Sequence, residues 1–216
     1  MNSYGNNQKK LICYITFAII VLVLVVNYFM HRGVRRGVKD IPEPVQTEAE
    51  GMTTVDINGY HLYILFKYEY DIKALVVSEK SYSGLGLNNR LAPKDVALAW
   101  GKVAEYNDRI DFNWRQSGRW YMWSASSYDE IAPVGGESGV NTCSSNNHLI
   151  PANDVIKREI KKIKRGDYVE IKGYLVDING SNSGDGSFYW NSSKSREDTG
   201  DGSCEVIYVT DIEWLD

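Results

Sequence analysis

The segment Cys143 to Asp154, CSSNNHLIPAND, concentrates more groups able to do chemistry than any other part of this chain. His148, with a reference pKa of about 6.5, can act as a general base, and Ser144, Ser145, Asn146, Asn147 and Asp154 supply polar neighbours. Nucleophilic catalysis would also need Cys143, Cys204 or a serine within hydrogen-bond reach of the imidazole. The plainer reading is structural. A His-Leu-Ile-Pro run entering a helix can use its imidazole to satisfy buried backbone carbonyls, with Ser and Asn making turns.

A second group lies at 192–202, SSKSREDTGDG. Asp198 and Asp201 beside two glycines offer oxygen ligands of the kind Ca²⁺ takes, and Arg196 can grip a carboxylate or phosphate. The spacing is not that of an EF-hand, and a hairpin of Asp and Gly needs no ion, so turn chemistry is the plainer account. Aromatic residues are the third feature: Trp100, Trp114, Trp120, Tyr121, Trp123 and Trp190. Trp120, Trp123 and Trp190 are candidates to line a groove for a sugar, a peptide or bases. Alternation through 119–123 puts Trp120 and Met122 on one face and Tyr121 and Trp123 on the other. One face then belongs to the core and the other is free for a partner. Cys143 and Cys204 are read as a disulfide pinning the loop to the last strand if the domain faces an oxidising space, and otherwise as a buried thiol pair.

Several reactions leave no trace. The chain has no phosphate-binding Gly-x-x-x-x-Gly-Lys-Ser/Thr loop, no Gly-x-Ser-x-Gly elbow, no His-Glu-x-x-His and no Cys/His zinc spacing, so no cofactor or metal is expected. Charge excludes another class. Residues 1–40 hold six of the 24 Lys and Arg but one of the 28 acids, which leaves 18 basic and 27 acidic groups after them, a net of about −9. An acidic domain lacks the phosphate-neutralising surface that nucleic-acid binding draws on, and no nucleic-acid partner is expected.

The elements that must position these groups begin with an uncharged apolar run, Leu11 to Met30, between Lys9-Lys10 and His31-Arg32. At about 1.5 Å per residue it predicts a helix of roughly 30 Å, the thickness of a bilayer's hydrocarbon core. Its length and its exit into Asn27-Tyr28-Phe29-Met30 predict a retained single-pass anchor rather than a cleaved signal peptide. Residues 1–10 are then a short tail and 31–58 a basic juxtamembrane segment and linker, with the bilayer contacted through 11–30. The flanking charges do not fix the direction of the anchor; the even pair of cysteines in the remainder points to an extracytoplasmic domain.

Residues 59–216 read as one globular domain. Tyr60, Leu62, Ile64, Phe66, Tyr68 and Tyr70 share one parity against Lys67, Glu69 and Asp71, the period of a half-buried strand. Pro93 and Asp95 predict the start of a helix over PKDVALAWGKVAEY. A second helix is predicted after Asn153 or Asp154, with Val155, Ile156, Ile160 and Ile163 as its apolar stripe and Gly166 at its end. From Asp167 the chain alternates again. The expected class is α+β: one transmembrane helix, then a mainly antiparallel β domain with two helices, in which Gly166 to Leu175 suggests an OB-like barrel.

The motifs GRWYMW (118–123), SSNNHLIPAND (144–154), GDYVEIKGYLVDI (166–178) and WNSSKSREDTGDGSCEVIYV (190–209) appear in this order behind an N-terminal apolar segment. In this the chain resembles a family of bacterial membrane-anchored envelope proteins with no assigned activity, and the resemblance covers most of 60–216. It implies a bacterial source and a membrane-associated domain, and it supplies no substrate or cofactor. Two functions follow as expectations. The first is a non-catalytic interaction domain at the cell envelope, binding a protein or an envelope polymer. The alternative is a membrane-tethered hydrolase or transferase using His148 with Asp154, Arg196 or Asp198.

Overall fold

The computed structural model describes residues 10, 12–23, 35–195 and 203–215. The chain divides into two units, Met1–Arg35 and Arg36–Asp216. In the first, residues 12–23 are helical. No helix among the described residues is long and apolar enough to cross a membrane. That finding corrects the transmembrane helix expected over 11–30 and the single-pass membrane location, with its extracytoplasmic domain, expected beside it. Residues 11 and 24–30 of the expected span lie outside the described residues.

Strands dominate the second unit, so the expected α+β class with a membrane helix is corrected to mainly β. Strands β1 (Val45–Ile57) and β2 (Tyr60–Ser81) form a hairpin around Asn58-Gly59. Both turn residues have positive φ, 53° and 78°, the type I′ geometry that Asn-Gly adopts readily. The predicted linker over 31–58 therefore contains a strand. β1 pairs along one edge and leaves most of its side chains in solvent, which is why its Glu- and Thr-rich sequence carries no apolar period.

β3 (Lys94–Ala99), β6 (Ser144–Pro151), β7 (Tyr168–Asn182) and β9 (Glu205–Leu215) complete the barrel with β2. The pairings run β2 to β3, β3 to β6, β6 to β9, β9 to β7, and β7 back to β2; only β6 with β9 is parallel. A short hairpin, β4 (Arg115–Ser117) with β5 (Trp120–Met122), forms a separate sheet, and β8 (Ser187–Asn191) extends β7 at its outer edge. The helices are α1 (Leu87–Leu91), α2 (Gly101–Tyr106), α3 (Tyr128–Ile131), α4 (Gly136–Thr142) and α5 (Asp154–Lys162).

The helix expected over 93–106 is a strand for its first half. All six residues of β3 are buried between β2 and β6, so no alternation marks it, and the acid and lysine that imitate a helix start are buried partners instead. Lys94 Nζ bonds the Ile163 carbonyl and lies 3.2 Å from Glu79, tying β3 to the end of α5. α5 follows its N-cap and isoleucine signals but stops at Lys162, short of the expected end at Gly166. Asn153 Oδ1 accepts from Val155 N at 2.9 Å and Ile156 N at 3.0 Å, and Ile156, Ile160 and Ile163 are buried, while Val155 is 55% exposed.

The main core holds Ile72, Val76, Leu98, Leu149, Ile171 and Ile207, closed by the α5 isoleucines where β3 begins. Trp100, Phe112, Trp114 and Val140 pack beyond the point where β3 finishes. A second cluster around Leu62, Ile64, Ile150, Val176, Ile178 and Val206 takes the opposite parity on β6, β7 and β9 and, on β2, the stretch before the bulge between Phe66 and Tyr68; α1 and residues of β1 and β8 cover it. β6 and the first part of β9, up to Val209, are thus packed on both faces, and polar side chains there are held out of water.

Candidate functional site

The β4–β5 hairpin turns through Gly118-Arg119, with Ser117 opposite Trp120. Gly118 has φ +58°, and a glycine in the first of two turn positions is the II′ pattern. This places Arg119 at the tip, and its guanidinium reaches back onto the barrel. Nη1 donates to Asp95 Oδ1 at 2.7 Å, both terminal nitrogens donate to the Ala92 carbonyl at 3.0 Å, and Nη2 donates to Asn89 Oδ1 at 3.0 Å. The planar group also stacks 3.9 Å from the centre of the Tyr82 ring and 5.3 Å from that of Trp190. Such a fork fits arginine and not lysine. The tip is fixed a second time through its backbone. Asn146 Nδ2 donates to the Arg119 carbonyl at 2.9 Å, Gln116 Nε2 donates to Asn146 Oδ1 at 3.2 Å, and the Tyr82 hydroxyl donates to the Gly118 carbonyl.

His148 belongs to this anchorage. Register places it directly opposite Asp95, and its Nδ1 lies 2.9 Å from the Oδ1 that Arg119 also holds. The approach is out of line with the ring N–H, so it is a close polar contact rather than a directed hydrogen bond. His148 is 3% exposed, Asp95 is 0% exposed, and the Trp190 ring covers the imidazole at 4.8 Å. Burial, then the Asp95 carboxylate, pushes the Tyr82 phenol above its usual range. Asp154 sits exposed in the first turn of α5, with no bond to His148. Arg196, Asp198 and Asp201 lie outside the described residues. The groups a His148 reaction would require are therefore not assembled among the described residues, and Asp95, read from sequence as a helix-start acid, is the carboxylate that His148 meets.

The two cysteines are not joined, which corrects the expected disulfide; both remain thiols. They address different neighbours. Cys204 Sγ accepts from Asn146 Nδ2 at 3.4 Å beside the hairpin tip, whereas Cys143 sits at the end of α4 against Gly101. Burial pushes the Cys143 thiol up from its ordinary value. Because only the thiolate reacts, native alkylation of Cys143 in a Cys204→Ser background should require a higher pH than free cysteine, whose pKa is about 8.5. Peptide mapping of the alkylated protein across pH 6–10 checks this; a midpoint at or below that of free cysteine contradicts it.

A cleft of about 760 Å³ opens between the hairpin, segment 123–131, α4 and the first residues of β6 and β9. Trp120 and Trp123 line it, together with Trp100, Tyr121, Met122 and Tyr128. Trp190 does not: it backs the Arg119–His148 anchorage. Trp120 (42% exposed) and Met122 face outward, while Tyr121 and Trp123 pack against the core. Each wall is fixed locally. The Tyr121 hydroxyl lies 3.3 Å from Ser144 Oγ, and Trp123 Nε1 donates to Asn141 Oδ1 at 2.9 Å, joining the loop to α4. Ser127 Oγ caps α3 by accepting from Glu130 N, and the Glu130 carboxylate accepts from Ser126 N at 2.9 Å and Asp111 N at 3.3 Å. Those backbone donors hold the Glu130 carboxyl below its usual value.

Among the described residues, serines and Asn141 provide most of the polar lining, Glu137 and Glu205 are its charged residues, and no Lys or Arg lines it. Trp100, 1% exposed, has an indole N–H with no acceptor. Among the described residues no three His, Cys, Asp or Glu side chains are placed to hold a metal ion. The arrangement can bind, by stacking and hydrogen bonding, and offers no evident nucleophile and base pair. Sequence reasoning missed Asp95 and Arg119. The available signal was Gly118-Arg119 between two short alternating runs, a hairpin tip with a long cation on it. No family model, curated protein or solved structure matches the chain, so the site is read from its own residues.

Proposed function

We propose that residues 36–216 form a non-catalytic binding module whose working surface is the cleft beside the β4–β5 hairpin. The observation that carries this reading is the cleft itself: about 760 Å³, walled by Trp100, Trp120 and Trp123, beside a hairpin anchored through Arg119. Its volume lies in the range of small-ligand sites, about 300–1,000 Å³, and its apolar faces carry a few fixed polar groups, as such sites do. Preformed walls favour binding because little ordering cost remains for the ligand to offset. The position of His148 supports the same reading, since its ring faces Asp95 and Trp190 behind the wall instead of the cleft.

Indole N–H resonances of the ¹⁵N-labelled chain test this. Titration with neutral oligosaccharides and with short peptides should yield a binder that shifts Trp100, Trp120 and Trp123 and leaves Trp190 and Trp214 in place. A binder perturbing only Trp190, or a turnover of glycoside or ester that His148→Ala abolishes in a protein of unchanged stability, would reverse the assignment.

A further inference from the structure

We propose that the ligand of this cleft is a neutral N-acetylated saccharide, with the acetamido carbonyl taking the Trp100 indole N–H and the sugar ring lying on Trp120. The inference rests on the binding-module reading and names its ligand class. Trp100 carries it furthest. Trp114, Trp123 and Trp214 each donate their indole N–H to a side-chain oxygen at 2.9 Å. Trp100 is more buried than any of these and donates to nothing among the described residues. A buried donor without an acceptor keeps an unrecovered desolvation cost, and this one belongs to a residue of the cleft wall. An acceptor oxygen brought by a ligand removes that cost.

The rest of the lining narrows the acceptor's owner. Among the described residues of the lining, Glu137 repels phosphates and other anions and no Lys or Arg draws them in, so an anionic acceptor is opposed. Serine hydroxyls around the cleft both donate and accept, which matches a ligand whose own hydroxyls do the same. The flat face of Trp120, 42% exposed at the rim, suits the apolar C–H face of a pyranose ring. A peptide would bring carbonyls too, but strand addition uses a run of open backbone groups, and β5, the edge strand at the cleft, is three residues long.

The test uses the full chain with N,N′,N″-triacetylchitotriose as probe, maltotriose as its non-acetylated counterpart, and a mixed short-peptide pool. Expected is a downfield shift of the Trp100 indole proton with triacetylchitotriose and none with maltotriose. Trp100→Phe should weaken the acetylated probe by about tenfold, the scale of one hydrogen bond, and leave weak maltotriose binding unchanged. Since Trp100 is buried, Trp120→Ala at the rim provides an independent variant: it should weaken both sugars with no change in melting temperature. Binding of triacetylchitotriose without a Trp100 shift, or with equal loss for both sugars in Trp100→Phe, overturns the acetamido assignment. Peptides shifting the cleft tryptophans where both sugars fail overturn the saccharide class and leave the binding module standing. Failure of every probe, together with His148-dependent turnover, overturns the module itself.

Discussion

Arg119→Ala should destabilise residues 36–216 by about 3–5 kcal/mol, the cost of stripping the partner from a buried charge. Asp95 is 0% exposed, and Arg119 supplies its shortest charged contact, 2.7 Å, while His148 approaches the same oxygen off the line of its N–H. The alanine variant also releases two bonds to the Ala92 carbonyl and the stack on Tyr82. Arg119→Lys keeps the charge but not the fork or the planar stack, so it should fall between wild type and alanine. Replacing both partners with apolar residues, Asp95→Leu with Arg119→Met, should recover part of the loss, because no charge is then left buried alone. Urea unfolding at pH 7 reads these changes as shifts in midpoint at constant slope. An Arg119→Ala cost below about 1 kcal/mol would falsify the anchorage, since that is the scale of an exposed ion pair. The same variant should broaden the Trp120 and Trp123 resonances, because the hairpin they line is fixed at its tip by this side chain.

How much of this was legible in the sequence depended on whether one face of an element meets water. α5 was legible at its start and along its stripe because Asn153 and the isoleucines act locally, within one helix; its end was not, since it stops at Lys162 and Gly166 N bonds the Val76 carbonyl. The first half of β2 was legible because it alternates. β3 was not, because both its faces are buried and its two charges are satisfied by residues far along the chain, Glu79 and Ile163 for Lys94, Arg119 and His148 for Asp95. β1 failed for the opposite reason, having too little buried to show a period. The alternation at 119–123 separated Trp120 from Trp123 correctly by face, but both faces border one cleft because the loop after Met122 folds back onto α4. The role of His148 could not be read at all. It depends on a register between β3 and β6 that sets Asp95 opposite it, across more than fifty residues of intervening chain.

Gly139→Ala is the second large effect expected, and it links stability to the cleft. A Cβ at Gly139 would lie 1.9 Å from the Val134 carbonyl oxygen and 2.8 Å from its carbon, both backbone atoms that no rotamer change can move aside. Gly135, with φ +91°, brings the chain into that crossing, just before α4 starts. Relief requires α4 to retreat by about 1 Å or more, an overpacking strain at or above the usual 1–3 kcal/mol. The retreat carries Asn141 with it, so the 2.9 Å bond from Trp123 Nε1 should lengthen or break and the cleft should widen on that side. Gly136→Ala is the matched control. Its φ of +69° imposes backbone strain of about 1–2 kcal/mol, yet no atom lies within 4 Å of the added Cβ, so the wall should stay in place. Melting temperature and the Trp123 indole resonance separate the two: Gly139→Ala should lower the first and move the second, whereas Gly136→Ala should lower the first by less and leave the second alone. Equal movement of Trp123 in both variants would show that α4 is not held against Val134, and the cleft would then be a soft surface rather than a preformed one.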